Sequence, residues 1–117
     1  MFIKVLLATV LFGVCPVFAQ SPVSSIETIT RKLSSAEFAG RASKSEGAQK
    51  AAEYIAQQFS AAGLKLITGS APNVATLLEG KSRKDEFVIV SAHYDSFGSG
   101  FAGAMDNAAS VAVTRMV

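Results

Sequence analysis

The chain has 117 residues, 50% of them hydrophobic, with 11 basic against 9 acidic side chains and a formal charge of +2. That near-neutral balance gives no electrostatic case for a nucleic-acid partner or an anionic membrane surface. The single cysteine, Cys15, excludes an intramolecular disulfide framework.

The first residues read as a secretory signal peptide covering 1–19. Lys4 supplies the positive n-region, Val5 to Val14 an apolar stretch, and Pro16 a break. Val17-Phe18-Ala19 then places small residues at the −3 and −1 positions before Gln20. The apolar run is shorter than the roughly 20 residues of a membrane span. Val14 is larger than the residue that usually precedes a lipidated cysteine, which argues against an anchor at Cys15. The expectation is a secreted or periplasmic protein, with no membrane contact after cleavage. Its mature part, 20–117, has the size of one small domain. Lacking cysteine, that part must draw its stability from a core or a bound metal.

In chain order, Ser25 is expected to cap a first helix whose Ile26, Ile29 and Leu33 share a face. Ser35 to Phe38 makes a short turn, and Gly40-Arg-Ala-Ser-Lys-Ser reads as a polar loop. A second helix is predicted from about Gly47 to Ala62, with Ala48, Ala51, Ala52, Ile55, Phe59 and Ala62 in one stripe. Gly63 ends it in the C′ position, with Leu64 closing the cap. Asn73 to Leu78 is predicted as a strand and Glu79 to Glu86 as a charged turn. Phe87 to Ser91 is predicted as a second strand, buried on both faces because Phe87 to Val90 are all apolar. A last helix is predicted to open at Asp106, with Ala108, Ala109, Val111, Ala112 and Met116 inward. This order predicts an α/β fold with a mixed β-sheet sandwiched by helices. The loop after Ser91 then lies beyond the carboxyl end of an inner strand, where such folds place ligands. The last helix reaches Val117 with no stop signal, so the expectation is an N-terminal part of a larger domain.

That loop carries the chemistry. His93, the sole histidine, stands two residues before Asp95 and thirteen before Asp106. Imidazole plus carboxylate suits Zn²⁺. Strand alternation would put His93 and Asp95 on one face, where Asp95 can hold the second ring nitrogen. Taken singly, His93 reads equally as a hydrogen-bonded core or surface residue, Asp106 as a helix cap and Asp95 as a turn residue. Their conjunction keeps a metal site open beside those readings.

Competing motifs fit less well. Gly98-Ser-Gly100-Phe-Ala-Gly103 matches the dinucleotide-binding spacing. However, His93-Tyr-Asp95-Ser-Phe97 intervenes between it and the strand, and Asp106 puts a carboxylate where phosphate should sit. Ala75 to Ser82 is a loose P-loop relative that leads into a turn rather than a helix. Ser91, Ser96 and Ser99 lie near His93 without a nucleophile-elbow motif.

His93-Tyr-Asp95 followed by Gly103-Ala-Met-Asp106-Asn107 resembles the co-catalytic di-zinc exopeptidases, which include bacterial leucyl aminopeptidases, aminopeptidase Y and glutamate carboxypeptidases. The similarity extends upstream through Leu33 to Arg41, Ala51 to Lys65 and Asn73 to Leu77. It implies two Zn²⁺ per complete site, with His93 a terminal ligand of one, Asp106 bridging both, and Asp95 in a catalytic supporting role behind the imidazole. It also implies a cis peptide after Asp106, and a metal-held water that attacks the peptide carbonyl after a glutamate takes its proton. The substrate is then a peptide or amino-acid derivative, and the reaction aminopeptidase-type hydrolysis. The family's Glu-Glu pair, further acidic ligand and second histidine come later in its sequence than Val117, and Ser110 stands where it often has glycine. The 117 residues alone are therefore expected to be inactive and poorly folded. A glutaminyl-cyclase-like transferase on the same fold, or a non-catalytic exported remnant, are the alternatives.

Overall fold

Ser21 starts the first helix. Its hydroxyl accepts a hydrogen bond from Ser24 N at 3.2 Å, and Pro22 occupies the first helical position, where its missing N–H is no loss. Helix α1 therefore spans Pro22–Leu33, beginning earlier than a Ser25 cap predicts. The computed structural model describes residues 21–117. The expected signal peptide, 1–19, lies outside the described residues.

After α1 the chain tightens into a 3-10 helix, Ala36–Arg41, broken by left-handed backbone at Ala39 (φ 45°) and Gly40 (φ 72°). Arg41 follows at φ 51°. Left-handed residues other than glycine are uncommon and cost energy unless their surroundings hold them. Helix α2, Glu46–Ala61, opens on Ser45, whose hydroxyl accepts from Ala48 N at 3.1 Å. Its exit is as expected. Leu64 N donates to Phe59 O at 3.1 Å and Gly63 N to Ser60 O at 2.9 Å, the paired bonds of a Schellman motif.

Two strands form an antiparallel hairpin, β1 (Lys65–Ser70) with β2 (Asn73–Leu77), in register Ser70↔Asn73 and Lys65↔Leu77. The turn is Ala71–Pro72 with a cis bond, and a bulge falls between Leu66 and Thr68. β1 was not expected, because Leu66-Ile67-Thr68 is too short an apolar run to stand out. Its partner β2 matches the predicted strand to within one residue.

Two expectations about the sheet are corrected. Phe87 to Ser91 is not a strand: it makes no ladder, and Val88 and Ile89 are 94% and 86% exposed. An inner strand needs neighbours on both edges and layers on both faces. The described residues supply neither, since β1 and β2 pair only with each other. The mixture of helix and strand is α/β as expected, but the sheet among the described residues has two antiparallel strands.

Helix α3, Ala109–Thr114, follows a π turn at Ala104–Ala108, so the helix begins three residues after Asp106 rather than at it. α3 packs on α1, and α2 packs on the 3-10 helix and on β1. Between them lies a core of Ile29, Leu33, Phe38, Ala51, Ile55, Phe59, Ala108, Val111 and Ala112. Ala92 and Tyr94 rest against it, which anchors the segment carrying His93. Fully buried Leu33 and Phe38 are each worth about 2–5 kcal/mol on truncation to alanine.

Candidate metal site

His93, Asp95 and Asp106 converge. Asp106 Oδ1 lies 3.3 Å from His93 Nε2, and Asp95 Oδ1 lies 3.3 Å from His93 Nδ1, with the Asp95 carbonyl oxygen also at 3.3 Å. The face shared by His93 and Asp95 is the expected one, although the segment carrying them is unpaired. All three side chains are open to solvent.

This arrangement sets the ring's chemistry. In the tautomer with its proton on Nδ1, that nitrogen donates to the two Asp95 oxygens. Nε2 then presents a lone pair toward a second acceptor, the Asp106 carboxylate. Two acceptors facing each other repel, so a proton or a cation must lie between them. Donors about 2.0–2.1 Å from a tetrahedral zinc ion are themselves about 3.3 Å apart, which is the separation found here. The pair thus fits one edge of a zinc coordination shell. Among the described residues, no group of three or more His, Cys, Asp or Glu side chains completes it.

The backbone that aims these groups is tied down by Arg41. The polar-loop expectation is corrected here, because Arg41 is completely buried. Its Nε donates to Tyr94 O at 2.7 Å, and its Nη2 to Gly103 O at 2.9 Å. Nη1 donates to Ala102 O at 3.0 Å and also to Leu33 O. Burial pulls the guanidinium's pKa down, and the fields of Asp95 and Asp106 oppose that shift. The main chain at Arg41 adds to the grip. Ser96 N donates to Arg41 O at 3.0 Å and Gly98 N to Gly40 O at 3.2 Å, in a short parallel bridge.

Position 103 must be glycine. Its φ is +59°, and a Cβ there would come within 2.5 Å of Arg41 Nη2 and 2.8 Å of Asp106 O. The peptide bond Asp106–Asn107 is cis, as the resemblance implies. Tyr94 binds the site segment to the hairpin turn, its hydroxyl donating to Pro72 O at 2.9 Å. Burial, and then the Asp95 carboxylate, raises the Tyr94 phenol above its ordinary range.

No curated protein and no solved structure matches the chain. A family does: the sequence model of Peptidase family M28 matches residues 73–116. Residues 73–116, with His93, Asp95 and Asp106 among them, thus carry the sequence pattern of Peptidase family M28, the co-catalytic zinc exopeptidases.

Proposed function

We propose that this chain carries the first ligands of a secreted, zinc-dependent exopeptidase of the aminopeptidase type, acting on peptides or amino-acid derivatives. The observation that carries the reading is the 3.3 Å approach of His93 Nε2 to Asp106 Oδ1, the separation of two donors that share one tetrahedral zinc ion. The match of residues 73–116 to a peptidase family supports the reaction class. In this reading residues 1–19 direct export, and residues 20–117 contribute to a larger helix-covered sheet in which the extended segment Phe87 to Ser91 becomes an inner strand. Further ligands and the general base come from outside the described residues.

Each residue has a task. Asp95 accepts the Nδ1 proton and fixes the tautomer and the orientation of the ring. His93 and Asp106 would hold zinc. When bound, zinc supplies Lewis-acid polarisation of the scissile carbonyl and a nucleophilic water at neutral pH. The solvent exposure of all three side chains leaves the site open to substrate.

The test is zinc affinity of the purified chain, wild type against His93→Ala, Asp106→Asn and Asp95→Ala. The first two should remove binding, and Asp95→Ala should weaken it by about 10–100-fold, as loss of a supporting carboxylate does. Equal zinc affinity in wild type and His93→Ala would remove the ligand assignment. Hydrolysis of aminoacyl anilides by zinc-loaded protein that contains the whole site tests the aminopeptidase class separately.

A further inference from the structure

We infer that Arg41 is the positioning residue of this site: its buried guanidinium sets the separation of His93 from Asp106 by clamping the backbone on either side of the loop that joins them. The inference rests on the zinc reading above. The two groups lie thirteen residues apart in sequence, and the loop between them is rich in glycine at Gly98, Gly100 and Gly103. Such a loop does not hold a fixed shape by itself. Arg41 grips both of its ends. The Tyr94 carbonyl belongs to the peptide between His93 and Asp95. The Ala102 and Gly103 carbonyls belong to the turn that delivers Asp106.

The chemistry of the grip is specific to a guanidinium. One planar fork reaches four carbonyl oxygens, on Leu33, Tyr94, Ala102 and Gly103, which a lysine's point charge cannot span. None of these bonds goes to a carboxylate. The oxygens of Asp95 and Asp106 are therefore left for the imidazole and the metal. The Leu33 carbonyl, at the end of α1, ties the clamp to the hydrophobic core. The backbone at Ala39, Gly40 and Arg41, where the side chain departs, is left-handed.

The experiment uses zinc alone as the probe, titrated into the wild-type chain, Arg41→Lys and Ile55→Val. Arg41→Lys keeps the charge and loses the fork. Ile55→Val trims the hydrophobic core without touching the guanidinium and serves as the control for general loss of stability. Zinc affinity of Arg41→Lys should fall about tenfold or more, the size of effect that removal of a supporting contact has at a metal site. Ile55→Val should melt at lower temperature yet bind zinc as wild type does. Wild-type affinity in a folded Arg41→Lys overturns the inference, as does an equal loss of affinity in Ile55→Val.

If Arg41→Lys does not fold, the wild-type chain decides by NMR. The Arg41 Nε–H signal should shift in step with the His93 ring during zinc addition. A His93 response with an unmoved Arg41 signal overturns the clamp. No response at His93 overturns the zinc reading itself, and the role of Arg41 with it.

Discussion

A buried arginine surrounded by carbonyls is the residue that organises this molecule, and local sequence hides it. In Gly40-Arg-Ala-Ser-Lys-Ser it stands among small polar residues, the composition of a solvated loop. Burial of an unpaired charge is costly, so a sequence reading puts arginine outside unless a partner is in view. Three of its four partners here are main-chain oxygens more than 50 residues away, which no local pattern reveals. The same contrast governs Gly47. In an ordinary helix, replacing glycine by alanine gains roughly 0.8–1.0 kcal/mol. Here a Cβ at position 47 would overlap the carbonyl oxygen of Phe38 in the adjoining 3-10 helix. Gly47→Ala should therefore destabilise the fold by about 1–3 kcal/mol, as overpacking does. Urea unfolding monitored by circular dichroism checks this, and a rise in stability would show that the two helices part without cost.

At the scale of elements, the helices were the most legible. α2 declares itself through its apolar stripe, Ser45 before it and Gly63 after it, all signals within one turn of where they act. α1 was legible on its inward face, but its start was misplaced by four residues because Ser21 competes with Ser25 as a cap. Tyr94 joins the hairpin turn to the site segment and Tyr54 packs on the core, and this has a consequence at high pH. Burial raises the phenols of both Tyr54 and Tyr94. Their unfolded forms ionise first, near the ordinary tyrosine value of about 10. The stability they contribute is thus complete below that pH and is lost as pH rises through the higher folded values. The melting temperature should drop above about pH 10. The drop should be smaller in Tyr94→Phe, which in turn melts lower at neutral pH because the bond to Pro72 is gone. Thermal melts across alkaline pH test both, and a Tyr94→Phe profile parallel to wild type would contradict the assignment to Tyr94.

For the molecule as a whole, the dominant feature is apolar surface that has found no cover. Phe87, Val88 and Ile89 are exposed and extended, and Phe97 and Phe101, whose rings stand 5.6 Å apart, are exposed as well. An extended apolar run with free N–H and C=O groups is a template for pairing with another strand. The 117-residue chain should therefore self-associate and bind a hydrophobic dye. Val88→Lys with Ile89→Lys should suppress both while changing stability by no more than about 0.5 kcal/mol, as exposed positions do. Sedimentation velocity and dye fluorescence measure this. Loss of the folded helical spectrum in the double variant would mean that the two side chains are packed after all.

From sequence alone came the pairing of His93 with Asp95, the position of α2 and its stop, and the family pattern within residues 73–116. All of these depend on neighbours within a few positions or on a contiguous motif. Three things were left to the tertiary structure: the approach of Asp106 to His93 across a glycine loop, the burial of Arg41 that holds that loop, and the exposure of a run as apolar as Phe87 to Val90. Each turns on where distant chain segments meet. Local propensity carries no information about such a meeting, and burial follows from the neighbours a segment finds rather than from its own hydrophobicity.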